Sequence, residues 1–171
     1  MVGFRFLNTK VMGLALPFHR SFDEVNLRFY IRHKHGNDWR RGVCFVREIV
    51  PKSLIAWVAR TIYNEPYIAA PMTSIVDTFD ATKTNHVDYR WTLGKREHRL
   101  AATYTGEPTI PADDSEPAFI IEHYWGYNRQ KNGSTMEYGV EHPKWRVWKG
   151  DNAVFDSDIA GLYGSEFVET L

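Results

Sequence analysis

Alternation of apolar and polar residues predicts strands over the first fifty residues. Residues 2–7 alternate, with Phe4 and Phe6 on one face. The clearest alternation is in EVNLRFYIRHK, where an apolar face opposes a polar face. Its apolar face is Val25, Leu27, Phe29 and Ile31, and its polar face is Asn26, Arg28, Tyr30 and Arg32. HGND supplies turn residues and RGVCFVREIV is again extended, so a β-hairpin is predicted with its apolar face in the core.

A helical period replaces the alternation after Val50. Pro51 suits a first helical turn, and Pro66 ends the segment. Apolar residues then recur at the spacing of one helical face. This spacing predicts a helix that buries Leu54, Trp57, Val58, Thr61 and Ile62.

The remaining pattern predicts mostly strands. Strands are predicted at 74–79, 87–93, 96–104 and 136–142, with Gly94-Lys95 as a tight turn. Ser115 is a helix N-cap candidate, and a short tail helix is interrupted at Gly164. Strands outnumber helices and their connections suit antiparallel hairpins. We therefore predict a mainly β (α+β) fold, as a single domain over residues 1–171.

Composition excludes several classes of function. The 21 basic and 21 acidic residues cancel, so neither nucleic acid nor an anionic membrane is an expected partner. No apolar run approaches the roughly 20 residues of a membrane helix. Cys44 is the only cysteine, which excludes an internal disulfide and a Cys-based zinc site and fits a reducing, cytoplasmic environment. It lies among apolar strand residues, as an inert buried thiol does.

Two Glu-His pairs are the first candidates for chemistry. Glu122 precedes His123, and Glu141 precedes His142. Strand alternation would place Glu141 and His142 on opposite faces, so they are not expected to bind one ion together. No metal-binding spacing and no Gly-rich phosphate loop accompanies them, so we expect neither a metal nor a cofactor. His142 is followed by Pro143, and as a positioned imidazole it is a usable general base beside Glu122 and Glu141.

Five stretches together resemble a known family. They are FLNTKVMG, EVNLRFYIRH, ARTIYNEPYIAAPM, FIIEHYWGYN and VEHPKWRVW. They resemble the signature segments of the YqjF-like family of uncharacterised bacterial proteins, which is related in fold to acetoacetate decarboxylase. The resemblance implies an antiparallel, cone- or barrel-like sheet around a central cavity, with a few helices packed outside. It also implies a chain shortened at both ends, whose barrel is incomplete or is completed by another chain in an oligomer.

The resemblance does not extend to the decarboxylase chemistry. Acetoacetate decarboxylase uses a Schiff-base lysine beside a second lysine, directly after a proline that follows a helix. Here Tyr67 and Ile68 follow Pro66, and neither can form an imine. Tyr67 would lie where the imine forms, with Arg60 close by; the alternative for Tyr67 is a packed loop aromatic.

Polar residues of the predicted hairpin are further candidates for binding. Arg28 could bind a carboxylate in a fork, with Tyr30 beside it. A solvent-facing strand with cross-strand charge pairs is the simpler interpretation. Glu48 could face inward, but an exposed carboxylate at a strand end is the expectation. Trp145 and Trp148 could wall an apolar pocket, but they are expected in the core.

Three functions stay open at this point. The first is a cavity that binds a small acidic or carbonyl-bearing organic molecule through Arg28, Tyr30, Arg60 and Tyr67. The second is an enzyme that uses acid-base chemistry of Glu122, Glu141 and His142. The third is a structural or interaction domain whose cavity is filled by Trp57, Trp91 and Trp145.

Overall fold

The chain folds into two β-sheets with short helices. A computed structural model describes residues 1–9 and 20–171. The described residues form ten strands: β1 (Val2–Phe6), β2 (Phe22–His35), β3 (Asp38–Val50), β4 (Tyr67–Ala69), β5 (Met72–Val76), β6 (Asn85–Leu93), β7 (Arg96–Thr109), β8 (Trp125–Arg129), β9 (Thr135–Gly139) and β10 (Val147–Asp156). The helices are α1 (Ser53–Val58) with a π-helical extension (Ala59–Tyr63), α2 (Glu116–Ile121), and α3 (Ile159–Leu162) with a 3₁₀ turn (Ser165–Phe167).

The strands divide into a six-stranded and a four-stranded sheet. The larger sheet has the order β1-β2-β3-β8-β9, with β4 also paired to β3. Strands β1, β2 and β3 are antiparallel, whereas β4 and β8 both run parallel to β3. The smaller sheet is antiparallel throughout, in the order β10-β7-β6-β5. The fold is therefore mainly β, as the sequence predicts.

The main core lies between the two sheets. Val25, Leu27 and Ile49 of the larger sheet pack against Tyr89 and Trp91 of the smaller one. Tyr89 and Trp91 are both buried, so these rings belong to the packed interior between the sheets. Neither sheet closes on itself within residues 1–9 and 20–171, so the predicted barrel is not observed there.

A second core lies on the opposite face of the larger sheet. It contains Phe22 and Val50 from the sheet and Ile55 and Ala56 from α1. The face that packs is therefore not the predicted one, because Leu54, Trp57 and Ile62 are exposed. The small Ala56 side chain, which is fully buried, allows α1 to approach the sheet closely.

Several local predictions are confirmed. Gly94 and Lys95 join β6 to β7, with Gly94 at a φ of 60°. The Ser115 side chain caps α2 by accepting a hydrogen bond from the Ala118 amide. Gly164 separates α3 from the 3₁₀ turn. None of the helices in the described ranges is long and apolar enough to cross a lipid bilayer.

Other predictions are wrong for identifiable reasons. The buried face of β2 ends at Leu27, where β3 carries a bulge, and Phe29 is exposed. The strand predicted at 136–142 ends at Gly139, so Glu141 and His142 lie outside it and strand alternation does not apply to them. Trp145 and Trp148 are exposed rather than in the core. Strand β10 is not predicted from the sequence. Shifts in its register with β7 and a positive φ at Asn152 interrupt the alternation of apolar and polar residues along it.

Two tryptophans test the corrected core. Trp91 is 1% exposed, whereas Trp57 is 55% exposed although its spacing placed it in the core. We expect Trp91→Ala to lower the free energy of unfolding by about 3–5 kcal/mol, the usual cost of emptying a large core site. Trp57→Ala should cost no more than about 1 kcal/mol, as surface changes do. Urea unfolding of both variants measures this, and equal losses would contradict the assigned core.

Candidate functional site

Three glutamate side chains lie buried together on the α1 side of the larger sheet. Glu24 is in β2, Glu48 is in β3, and Glu65 lies just before β4. They are 1%, 2% and 6% exposed, respectively. Charged side chains are rarely buried this completely without a partner of opposite charge. We call these residues, with Asn26, Tyr67 and Tyr138, the acidic cluster.

The strand register brings the cluster together. Asn26 of β2 is the cross-strand partner of Glu48, and Glu48 is in turn the partner of Tyr67 in β4. Paired residues of neighbouring strands share a face, and so do residues two apart on one strand, which adds Glu24. A row of polar side chains therefore crosses three strands at the centre of the sheet.

Hydrogen bonds link most of the buried polar atoms. The Asn26 side-chain amide donates to Glu24 at 2.8 Å, and the Tyr67 hydroxyl donates to the other Glu24 oxygen at 2.7 Å. The Tyr138 hydroxyl donates to Glu65 at 2.8 Å. Within the described residues, Glu48 Oε2 and Asn26 Oδ1 are buried without a hydrogen-bond partner. An unpartnered buried polar atom is unusual and costs free energy.

Tyr138 reaches Glu65 because its cross-strand neighbour is a glycine. Gly126 in β8 pairs with Tyr138 in β9, and a Cβ atom at position 126 would collide with the Tyr138 ring. The π-helical segment ends at Asn64, whose φ of 54° is left-handed. The Asn64 side chain donates to the Arg129 carbonyl at 2.8 Å, which holds the chain in place immediately before Glu65.

Burial raises the pKa values of all three carboxyl groups of the cluster. Burial raises the pKa of Glu24 to about 7, against the hydrogen bonds from Asn26 and Tyr67 and the charge of Arg28. Burial also raises the pKa of Glu65 to about 7, although the Tyr138 hydrogen bond opposes the rise. The pKa of Glu48 lies well above its ordinary value, because of burial first and the neighbouring Glu24 and Glu65 carboxyls second, although the nearby Tyr67 hydroxyl opposes the rise.

The acidic cluster can hold and exchange protons. A carboxyl group with a pKa near 7 is suited to general acid-base work at neutral pH. No described residue forms a salt bridge with Glu24, Glu48 or Glu65. No group of three or more His, Cys, Asp or Glu residues in the described ranges could hold a metal ion. The neutral, protonated form of the carboxyls is therefore the one that the surroundings favour.

Of the sequence-predicted binding residues, Tyr67 belongs to the cluster and Arg28 lies next to it. Tyr67 is half-buried, and its hydroxyl lies beside Glu24 and Glu48. Arg28 is also half-buried, on the same face of β2 as Glu24, and its charge lowers the Glu24 pKa. Its Nε atom is buried without a hydrogen-bond partner in the described part of the chain. The polar face of β2 is therefore covered from Glu24 to Arg28, whereas Arg32 further along the same face is exposed to solvent.

The other two predicted binding residues are placed differently. Tyr30 packs on α2, with its ring centroid 5.2 Å from that of Phe119 and 4.5 Å from that of His123. Arg60 is exposed and donates a hydrogen bond to the Tyr67 carbonyl at 3.3 Å. Arg60 thus contacts the backbone of Tyr67 and not the Tyr67 hydroxyl in the cluster.

The predicted acid-base residues gather at a different place. The His142 ring stacks between Tyr124 and Trp145, with centroids 4.7 and 4.3 Å away. The Tyr124 hydroxyl donates a hydrogen bond to Glu122. Glu141 is exposed. Glu122 and His142 therefore meet through Tyr124, and hydrogen bonds of the described residues do not connect them to the acidic cluster.

Sequence reasoning misses four of the six residues of the cluster. Glu24, Asn26, Glu65 and Tyr138 were not singled out as site residues, and Glu48 was expected to be exposed but is buried. The alternation Glu24, Asn26, Arg28 in β2 was the available signal. Its meaning depends on whether α1 covers that face, which a local pattern does not reveal.

Comparison with known proteins places the chain in a family without an established activity. The model of the DUF2071 family, described as an uncharacterized conserved protein, matches residues 1–170. The chain belongs to the DUF2071 family. A Bacillus subtilis (strain 168) relative, "Uncharacterized protein YqjF", is 24% identical over 173 residues, which span 99% of this chain and 67% of that protein. The YqjF-like resemblance is thereby confirmed, and DUF2071 membership leaves the function to be argued from the site.

The raised pKa values predict how stability depends on pH. Between the ordinary value of 4.5 and about 7, the folded chain holds protons that the unfolded chain releases. We therefore expect the free energy of unfolding to fall as pH rises through this window, by up to about 1.4 kcal/mol per pH unit for each group. Urea unfolding at a series of pH values measures the slope.

Glu48→Gln isolates one contribution to that slope. Glutamine imitates the neutral carboxyl, so we expect the variant to be more stable than the parent at pH 8, where the raised pKa of Glu48 costs the parent stability, and we expect this advantage to grow from pH 5 to pH 8. At pH 5 the two are expected to be nearly equal. Glu107→Gln, at an exposed position of β7, controls for the loss of a charge. A parent whose stability rises from pH 5 to pH 7 would contradict the assignment.

Proposed function

We propose that the protein binds a small carbonyl-bearing organic molecule at the acidic cluster, where the protonated Glu48 carboxyl donates a hydrogen bond to the ligand carbonyl. The observation that carries this proposal is the Glu48 side chain, which is only 2% exposed. Its Oε2 atom has no hydrogen-bond partner among the described residues. A neutral carboxyl group is both a donor and an acceptor. A carbonyl oxygen would accept the hydrogen bond that the surrounding residues leave unmade.

The charges around Glu48 favour a carbonyl group over an anionic group at this position. Glu24 and Glu65 raise the Glu48 pKa through their charges, so a ligand carboxylate placed there would meet the same repulsion. Arg28 is the cationic side chain that acts on Glu24. If the ligand also carries a carboxylate, that group would bind Arg28, which is a suitable fork donor.

The resemblance to acetoacetate decarboxylase supports the choice of a carbonyl ligand but not an imine mechanism. We propose that the two sheets correspond to the acetoacetate-decarboxylase-like fold that the resemblance implies. Tyr67 and Ile68 follow Pro66 where that enzyme has its lysine pair. The Tyr67 hydroxyl donates to Glu24, which supports a role in holding the carboxyl groups in place and not in covalent chemistry.

Proton transfer to and from the bound molecule is a second candidate function. Glu24 has a pKa of about 7 and is therefore partly ionised at neutral pH, whereas the Glu48 pKa is raised well above its ordinary value. The Tyr67 hydroxyl is close to both carboxyl groups, so a base and an acid lie near each other. Glu24 would remove a proton from the carbon next to the carbonyl while Glu48 protonates the carbonyl oxygen, which gives an enol. Reversal of both transfers restores the ketone and both carboxyl groups.

Binding is tested with two matched substitutions at Glu48. Glu48→Gln keeps a hydrogen-bond donor, whereas Glu48→Leu has a similar volume and none. We expect 2-pentanone and pyruvate to raise the melting temperature of the parent and of Glu48→Gln, because a ligand that binds only the folded state stabilises it. Glu48→Leu, checked for a cooperative melt, should not respond. An equal rise in all three proteins would refute a role of Glu48 in binding.

Hydrogen exchange separates proton transfer from binding. The protein should accelerate the loss of deuterium from 2-pentanone labelled next to its carbonyl, as followed by proton NMR. Glutamine donates a hydrogen bond but does not transfer a proton, so Glu48→Gln should lose about 10²-fold or more of this acceleration while it still binds ketone. Unchanged exchange in Glu48→Gln would eliminate Glu48 as the acid and leave the binding proposal standing.

A further inference from the structure

A groove of about 290 Å³ lies where the β2–β3 hairpin faces α2. It is lined by Tyr30, Ile31, Arg32, Arg41 and Phe119, and we call it the basic groove. Phe119 comes from α2, and the other four residues come from the two strands. The Arg41 guanidinium carbon lies 5.7 Å from the centroid of the Phe119 ring. The groove thus combines positive charge with a flat apolar wall.

The two arginines of the groove face each other across the strands. Arg32 and Arg41 are cross-strand partners, so their side chains share one face of the sheet. Like charges in directly opposite positions destabilise a strand pair. Among the described residues neither arginine forms a salt bridge, whereas Arg5, Arg90 and Arg99 each pair with an aspartate. No carboxylate among the described residues therefore offsets the repulsion between Arg32 and Arg41, and an anion between them would relieve it.

A buried histidine beside the groove gives a second, independent observation. His123 is 8% exposed and packs on Tyr30 and Phe119, the latter with ring centroids 5.0 Å apart. Neither of its ring nitrogens has a hydrogen-bond partner in the described ranges. Burial, and then the charges of Arg28 and Arg41, lower the His123 pKa; the nearby backbone carbonyls of Ile120 and Phe119 oppose this shift but do not meet hydrogen-bond geometry with the ring nitrogens. The neutral imidazole carries one N–H donor that a ligand could use.

We propose that the basic groove binds a small planar carboxylate, whose carboxylate group lies between Arg32 and Arg41 and whose flat apolar body lies against Phe119. Guanidinium groups bind carboxylates in a fork, and His123 or Tyr30 would supply a further donor. At roughly 30 Å³ for each water-sized group, the groove holds about ten such groups, the size of a benzoate ion. The groove goes beyond the carbonyl site at Glu48 and uses none of the acidic cluster.

Three probes distinguish a planar carboxylate from other ligands. Benzoate carries the charge and the flat ring, benzamide keeps the ring without the charge, and inorganic phosphate keeps charge without the ring. By isothermal titration calorimetry we expect benzoate to bind at least ten times more tightly than benzamide or phosphate. Perturbation of the His123 ring signals in NMR spectra would report binding at this place. Equal affinity for phosphate would overturn the planar body, and equal affinity for benzamide would overturn the carboxylate.

Variants of the groove test its location. Arg41→Gln should weaken benzoate binding at least tenfold, and so should Arg32→Gln. Each also removes one of two repelling charges, so the melting temperature without benzoate should not fall, which separates lost binding from lost folding. Arg129→Gln removes an exposed arginine from β8 and is the control for net charge. Unchanged benzoate affinity in Arg41→Gln would overturn the proposal.

The two proposed sites can fail separately. Glu48→Leu leaves the basic groove intact, so it is expected to bind benzoate as the parent does while its response to 2-pentanone is lost. Loss of benzoate binding in Glu48→Leu, with a cooperative melt, would overturn the assignment of benzoate to the basic groove.

Discussion

Burial of the six-stranded sheet on both faces is the constraint on which the rest of the structure depends. The four-stranded sheet covers one face of β2 and β3 at Val25 and Ile49, and α1 covers the other. Side chains of a strand alternate between faces, so the polar residues Glu24 and Asn26 of β2 are forced into the interior. Buried polar groups are tolerated when they are neutral and bonded to one another. The network from Asn26 through Glu24 to Tyr67, with its raised carboxyl pKa values, follows from that requirement.

The sequence predicts the elements better than it predicts what covers them. Alternation and turn residues located most strands and the apolar face of β2 up to Leu27, because both depend on neighbours in the chain. Burial of Glu48 depends on α1 and β4, which fold back over β3 from later in the chain. The face of α1 could not be read from spacing alone either. The longer apolar stripe through Trp57 is exposed, and the shorter one at Ile55 and Ala56 packs because it fits close to the sheet.

One face of β2 changes from acidic to basic along the strand. Glu24 and Asn26 lie in the acidic cluster, Arg28 follows, and Tyr30 and Arg32 line the basic groove. Arg28 acts on both ends, since its charge lowers the pKa of Glu24 and that of His123. Carboxyl and guanidinium groups therefore follow each other on one face of β2, only a few residues apart. A salt bridge between Glu24 and Arg32 would neutralise both the acidic cluster and the basic groove. Their separation along β2 prevents it.

Hydrogen bonds to the β8–β9 hairpin connect the buried Glu65 to the protein surface. The backbone before Glu65 is tied to β8 and to the turn after it, because Asn128 and Gln130 donate to the Tyr63 carbonyl at 2.5 and 2.9 Å and Asn64 donates to the Arg129 carbonyl. Tyr138, which binds the Glu65 carboxyl, belongs to the same hairpin. The positions of Glu65 and Tyr138 thus both depend on the β8–β9 hairpin at the surface. A change in the conformation of that surface turn would therefore shift Glu65 in the acidic cluster through these side-chain amide hydrogen bonds. The apolar core between the two sheets would stay unchanged.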